Sequence, residues 1–141
     1  MTELEIQDKE FKKRYLKRYR KNKALILRLK NKIKNLDERI TSLRSPSFSD
    51  MPRGGTPITK EDMIAEKDEI ERRINRLEDK GKIIKAEITE KIDDLDDVKY
   101  AEVLEAFCIE CLDFGDIGEN MGYSTRHIER LYKEAINEVV L

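Results

Sequence analysis

The sequence predicts an all-α protein: a long antiparallel helical hairpin, paired as a coiled coil, followed by a C-terminal helix-turn-helix bundle. Two long charged segments carry apolar residues at alternating spacings of three and four, and a segment rich in proline and glycine separates them. The C-terminal residues carry a broader apolar pattern with a glycine turn. Charged residues make up 42% of the 141 residues and aromatic residues 6%, which is typical of exposed helices with a narrow apolar seam.

The first charged segment, residues 3–44, contains neither proline nor glycine. Its apolar residues have the spacing of a coiled-coil heptad seam. They are Ile26, Leu29, Ile33, Leu36, Ile40 and Leu43. Upstream, Asn22 and Tyr19 occupy the same seam. A buried Asn22 would set the register or the oligomeric state, whereas an exposed Asn22 would have neither role.

Residues 45–57 interrupt this pattern with three prolines and two glycines, which cannot continue a helix. We therefore predict a loop within residues 45–59. Either Thr59, with Asp62 three residues later, or Thr56, with Pro57 behind it, is expected to cap the next helix.

The second helix is predicted over about residues 60–94. Its seam residues are Met63, Lys67, Ile70, Ile74, Leu77, Gly81, Ile84 and Ile88. Gly81 costs a helix about 1 kcal/mol relative to alanine, so it marks either the close approach of a partner helix or a weak point.

Pairing of the two helices is expected because each seam alone would remain in water. The preferred arrangement is an antiparallel hairpin over residues 1–95, and a parallel dimer through the same seams is the alternative. Because two helices bury only a thin core, further oligomerisation is also expected. Residues 96–141 then form a separate domain.

In residues 96–141 a helix with an apolar stripe from Val103 to Leu112 precedes a short helix at about residues 114–121. Gly122 follows where a helix end requires a positive φ, which glycine adopts without steric cost, and Ser124 suits the N-cap of the last helix. The inner face of that helix is formed by Ile128, Leu131, Ala135, Ile136 and Val139. This pattern predicts a helix-turn-helix.

The outward face of the last helix is the candidate DNA-binding site. A recognition helix places its first residues against base edges in the major groove and its cations near phosphates and guanine. The candidate DNA-binding residues are Ser124, Thr125, Arg126, His127, Arg130 and Lys133. Residues 96–141 contain 4 Lys and Arg against 11 Asp and Glu, and acids that faced DNA would repel it.

The front of the chain has the opposite charge, with 15 Lys and Arg against 6 Asp and Glu in residues 1–45. Such asymmetry predicts an electrostatic contact surface. The candidates for a secondary contact with nucleic acid or a protein partner are Lys12, Lys13, Arg14, Lys17 and Arg18. A solvated helix face is the alternative interpretation.

No catalytic, metal or cofactor site is predicted. Cys108 and Cys111 lie on the apolar stripe and are expected in the core, and the only histidine is His127. The carboxylates at residues 93–97 lack the spacing of a calcium loop. We find no apolar run of the roughly 18 residues that a membrane span needs and no signal peptide. We therefore expect a cytoplasmic protein that is not an enzyme.

About 40 C-terminal residues resemble region 4 of the primary sigma-factor family. That pattern is a helix, an Ile-Ala-like pair, a Gly-hydrophobic-Ser turn and the recognition helix. Here the pair is Ile117-Gly118, and the turn is Gly122, Tyr123 and Ser124. Because Gly118 replaces the usual alanine, we expect less packing between the two helices.

The whole chain resembles small phage and prophage regulators of the RinA/ArpU kind, on the segment S-P-S-F-S-D-M-P between two charged helices and on Y-S-T-R-H. The resemblance implies DNA binding through Thr125, Arg126, His127 and Arg130. It also implies transcriptional regulation of phage late genes in the bacterial host cytoplasm, which we expect to be activation by an oligomer. One alternative is a small terminase-like DNA-packaging protein. Another is a sigma-domain mimic that binds host RNA polymerase without reading DNA.

Overall fold

The computed structural model describes residues 2–42 and 59–141, and the predicted all-α class is confirmed for them. Their elements are α1 (Glu3–Leu16), α2 (Arg18–Ser42), α3 (Lys60–Asp93), α4 (Val98–Leu104), a π-helical turn (Glu105–Ile109), α5 (Phe114–Met121) and α6 (Thr125–Glu138). The predicted loop and the seam residue Leu43 lie outside the described residues.

The starts of α1 and α3 have the same local cause. The Thr2 hydroxyl accepts a hydrogen bond from the Glu5 amide, and the Glu5 carboxylate accepts one from the Thr2 amide. Thr59 and Asp62 form the same reciprocal pair at α3. Each pair satisfies backbone donors that a helix start leaves unpaired. Of the two predicted caps for α3, the structure therefore has Thr59.

The chain divides into two compact units, one formed by Ala24–Asp79 and the other by Met1–Lys23 together with Lys80–Leu141. This division differs from the boundary predicted at residue 95. The reason is that Leu16, Tyr19, Ile84, Ile88 and Ile92 belong to the same apolar core as the residues of α4 to α6. The ends of the long helices and all of α1 thus fold with the C-terminal elements.

In the unit Ala24–Asp79, heptad residues form the core. They are Ile26, Leu29, Leu36 and Ile40 of α2 with Met63, Ile70 and Ile74 of α3. Ion pairs flank them at 3.4 Å between Lys30 and Glu78 and at 2.7 Å between Lys67 and Asp37. As the residue numbers of the contacting residues rise along α2, those of their partners fall along α3, so the two helices pack antiparallel within this unit.

The two irregular seam residues, Asn22 and Gly81, face each other. Asn22 is 7% exposed, and a Cβ added at Gly81 would lie 2.5 Å from the Asn22 Oδ1 atom. Gly81 therefore marks a close approach, which was one of the two interpretations of its position. The missing side chain at Gly81 makes the space that the Asn22 amide occupies.

We expect Gly81→Ala to change stability in opposite directions in two backgrounds. In the native chain the new methyl meets the Asn22 amide, and such overpacking costs about 1–3 kcal/mol, which offsets the better helix propensity. In an Asn22→Ala chain the methyl has room, and the substitution should stabilise the fold by about 1 kcal/mol. Urea unfolding of all four chains, followed by circular dichroism, measures the coupling. Equal effects of Gly81→Ala in both backgrounds would show that the contact does not matter.

Candidate nucleic-acid interface

The turn between α5 and α6 is built by local hydrogen bonds. Asp113 caps α5 by accepting from the Asp116 amide at 2.9 Å. Gly122 ends α5 in the left-handed region at φ +77°, and the Ser124 hydroxyl caps α6 by accepting from the His127 amide at 3.1 Å. The predicted roles of Gly122 and Ser124 are both confirmed.

Gly118 allows this turn to contact α5. It is buried, its carbonyl accepts from the Tyr123 amide at 2.9 Å, and an added Cβ would lie 2.5 Å from the Tyr123 carbonyl oxygen. The expectation that Gly118 leaves less packing here is therefore wrong. The glycine gives a closer contact, because backbone occupies the position where a side chain would begin.

The predicted inner-face residues Ile128, Leu131, Ala135 and Ile136 of α6 are buried. Val139 is buried too, but it follows the end of the helix in extended backbone. Tyr132, which the sequence pattern did not assign to the core, is buried as well. Its ring centroid lies 4.7 Å from that of Phe107 and 5.2 Å from that of Phe114. Burial raises the pKa of Tyr132. These contacts set the orientation of α6 and thereby its outward face.

Five of the six predicted DNA-binding residues are exposed, and the structure brings them together along the outward face of α6. The exposed residues are Ser124, Thr125, Arg126, Arg130 and Lys133, while His127 is half-buried. A surface recess of about 310 Å³ is lined by Ser124, Arg126, His127 and Arg130. Two guanidinium groups thus lie beside the amides of a helix N-terminus, an arrangement that suits an anion.

His127 orients one of these two groups. Its Nδ1 atom lies 2.8 Å from Nη2 of Arg130, and its ring makes an edge contact with Tyr123 at 4.7 Å. Because a guanidinium only donates, Nδ1 accepts, and the ring proton of the neutral imidazole lies on Nε2. By contrast, Arg126 has no ion pair with any residue in the described part of the chain.

Several acids near α6 already have partners inside the protein. Glu129 pairs with Lys133 at 3.8 Å, so this lysine brings less uncompensated charge than the two arginines. Glu134 accepts from the Tyr100 hydroxyl at 3.0 Å, which raises the pKa of Tyr100. Asp97 and Asp113 cap α4 and α5. These contacts fix the positions of the four carboxylates, and the pair with Lys133 is the one among them that offsets a charge.

Three of the five predicted N-terminal cations contact acids of their own chain. Lys12 pairs with Asp8 at 3.4 Å and Lys13 with Glu10 at 3.6 Å, while Arg18 pairs with Glu87 and lies over the Tyr15 ring. Lys12 also donates to the Asn137 carbonyl at the end of α6. Arg14 is exposed and Lys17 half-buried. Contact of these five with a partner stays a prediction.

A sixth cation, Arg20, has a structural role that sequence analysis missed. Its guanidinium donates to the carbonyls of Phe107 at 2.7 Å and Leu112 at 3.0 Å, and it lies 4.0 Å from the centre of the Phe107 ring. It thereby satisfies carbonyls around the end of the π-helical turn. No local sequence signal separates Arg20 from the other cations of α1 and α2.

The two cysteines lie in different surroundings. Cys108 is fully buried, and desolvation raises its pKa to about 12. Cys111 is half-buried with a positive φ of 61°, and it follows the end of the π-helical turn at Ile109. The predicted helical stripe to Leu112 is therefore wrong beyond Ile109. No cluster of metal-ligand side chains occurs among the described residues.

Residues 2–42 and 59–141 include no helix that is both long and apolar enough to cross a membrane. The chain matched no family model, no curated protein and no solved structure in the comparisons made.

Proposed function

We propose that the chain binds duplex DNA sequence-specifically, with α5 and α6 acting as a helix-turn-helix and α6 as the recognition helix. The observation that carries this proposal is the pair of exposed guanidinium groups, Arg126 and Arg130, in the first turns of α6. The opposite face of the same helix is fully packed, so only the arginine-bearing side is available to a partner. A recognition helix needs that arrangement.

The residues of this face have different proposed contacts with DNA. Arg126 and Arg130 are suited to guanine, which offers two acceptors to a guanidinium in the major groove. Ser124 and the first amides of α6 suit a phosphate. Thr125 reads a base or holds a phosphate, and Lys133 adds charge toward the backbone. Each role uses a group that lies on the outward face.

The biological role follows from the resemblance. We infer a regulator of phage late genes, acting as an oligomeric activator in the host cytoplasm, with no catalysis and no cofactor. An oligomer suits this role, because a dimer of such helices binds two half-sites about one helical turn of DNA apart. Contact with host RNA polymerase belongs to the same proposal.

Selection from duplexes with a random core tests the DNA-binding proposal. The full chain should enrich a common motif and bind it about 10³-fold or more tightly than the starting pool at the same salt concentration. The control is the Arg126→Ala/Arg130→Ala chain, which should enrich no motif. Equal affinity of the native chain for the selected and starting duplexes would contradict the proposal.

A second candidate is a sigma-domain mimic that binds RNA polymerase through acidic side chains. It is favoured by the exposed Asp116 and Glu119 of α5, within a segment that holds 11 acids against 4 cations. In that case bacterial RNA polymerase should be retained by the immobilised chain. The Asp116→Asn/Glu119→Gln chain should not retain the polymerase, and the native chain should enrich no duplex.

A further inference from the structure

We propose that the unit Ala24–Asp79 carries a second polyanion-binding surface, which binds the phosphodiester backbone of duplex DNA without reading its sequence. Arg28 and Lys32 of α2 and Arg73 and Arg76 of α3 form it, and we name it the α2–α3 basic face. It does not depend on the proposed role of α6.

Two acid-free stretches of sequence supply these residues. Residues 28–34 contain four Lys and Arg, and residues 72–76 contain three Arg, with no Asp or Glu in either stretch. All seven cations are exposed. The pairs Lys30–Glu78 and Lys67–Asp37 align α2 and α3 so that the two stretches lie beside each other. Packing of α2 on α3 therefore brings together positive charges that lie far apart in the sequence.

Four of the seven cations share one face of the unit. The Lys30–Glu78 pair marks the other face. Arg28 and Lys32 are each two residues from Lys30, which places them roughly 160° round α2 from it. Arg76 and Arg73 are two and five residues from Glu78, or roughly 160° and 140° round α3 from it. Among the described residues, none of these four forms an ion pair.

The surroundings favour a phosphate backbone over a protein partner. The apolar residues of the two stretches, Leu29 and Ile74, are buried in the unit and Ile33 is partly buried. Leu27 is exposed, but it lies roughly 60° round α2 from Lys30, toward the other face. Protein interfaces usually have an apolar or aromatic centre. Duplex DNA instead presents one negative charge per roughly 1.7 Å of its axis, which fits a face that offers only charge.

The test uses the full chain and a labelled duplex of random sequence, titrated at several salt concentrations. Each phosphate contact contributes about 0.9 to the slope of log affinity against log salt. Arg28→Gln/Lys32→Gln should therefore lower the slope by about 2, and Arg73→Gln/Arg76→Gln by a similar amount. The matched control is Lys30→Gln/Lys34→Gln, which removes the same charge at the same spacing from the other side of α2 and should leave the slope unchanged.

Further variants and controls complete this test. Arg28→Lys/Arg73→Lys should keep the native slope, and circular dichroism should show native helix content in every chain. In an Arg126→Ala/Arg130→Ala background the loss of slope should persist, which separates this face from α6. Equal slopes for the basic-face and control variants would overturn the proposal, and so would displacement of the duplex by polyglutamate at equal charge concentration, because that would assign the face to acidic proteins.

Discussion

Arg126→Ala/Arg130→Ala is expected to abolish preferential binding of the selected duplex. An arginine that bonds guanine contributes about 1–3 kcal/mol, so the double substitution should lower affinity for the selected duplex by roughly 30-fold to 10⁴-fold. Both side chains are exposed, and exposed substitutions usually change stability by less than about 0.5 kcal/mol. The fold should therefore persist while the preference for the motif disappears.

The matched control is Lys133→Ala on the same outward face. Lys133 is exposed but already pairs with Glu129, so its removal should weaken selected and random duplexes alike and by a smaller factor. Competition titrations with both duplexes at one salt concentration measure the two effects. Retention of the native preference by Arg126→Ala/Arg130→Ala would remove α6 from the DNA interface.

Gly118→Ala should destabilise the unit that contains α5 and α6 by about 1–3 kcal/mol, the usual cost of forcing atoms into a packed site. The new Cβ would lie 2.5 Å from the Tyr123 carbonyl oxygen. Because that oxygen belongs to the backbone of the turn, no side-chain rotation relieves the contact. The turn must move away from α5, which also shifts the start of α6.

Gly115→Ala in the same helix is the control. A Cβ there would have its nearest contact at 3.4 Å, with the Asp113 carboxylate, so a small side-chain adjustment accommodates it. Gly115→Ala should therefore be neutral or stabilise by up to about 1 kcal/mol through helix propensity. Urea unfolding of the three chains measures the difference. Equal stability of the Gly118→Ala and Gly115→Ala chains would show that the turn can move away from α5 without loss of stability.

Much of the helical organisation could be predicted from sequence, because its signals are local. Seam spacing identified the apolar residues that α2 and α3 bury between them, since helical periodicity alone selects the face. Thr59, Gly122 and Ser124 act within a few residues of their own positions, so their roles were readable as well. The same periodicity also predicted which face of α6 is exposed.

Other features were decided by the tertiary structure. Periodicity predicts which face a residue lies on but not what that face meets. The sequence therefore did not show that Asn22 fills the space left by Gly81, that Gly118 contacts turn backbone, or that Arg20 caps a distant helical turn. Tyr132 joins the core only because Phe107 and Phe114 lie against it. Each of these contacts joins positions whose separation is set by folding, so its energy cannot be read from either position alone.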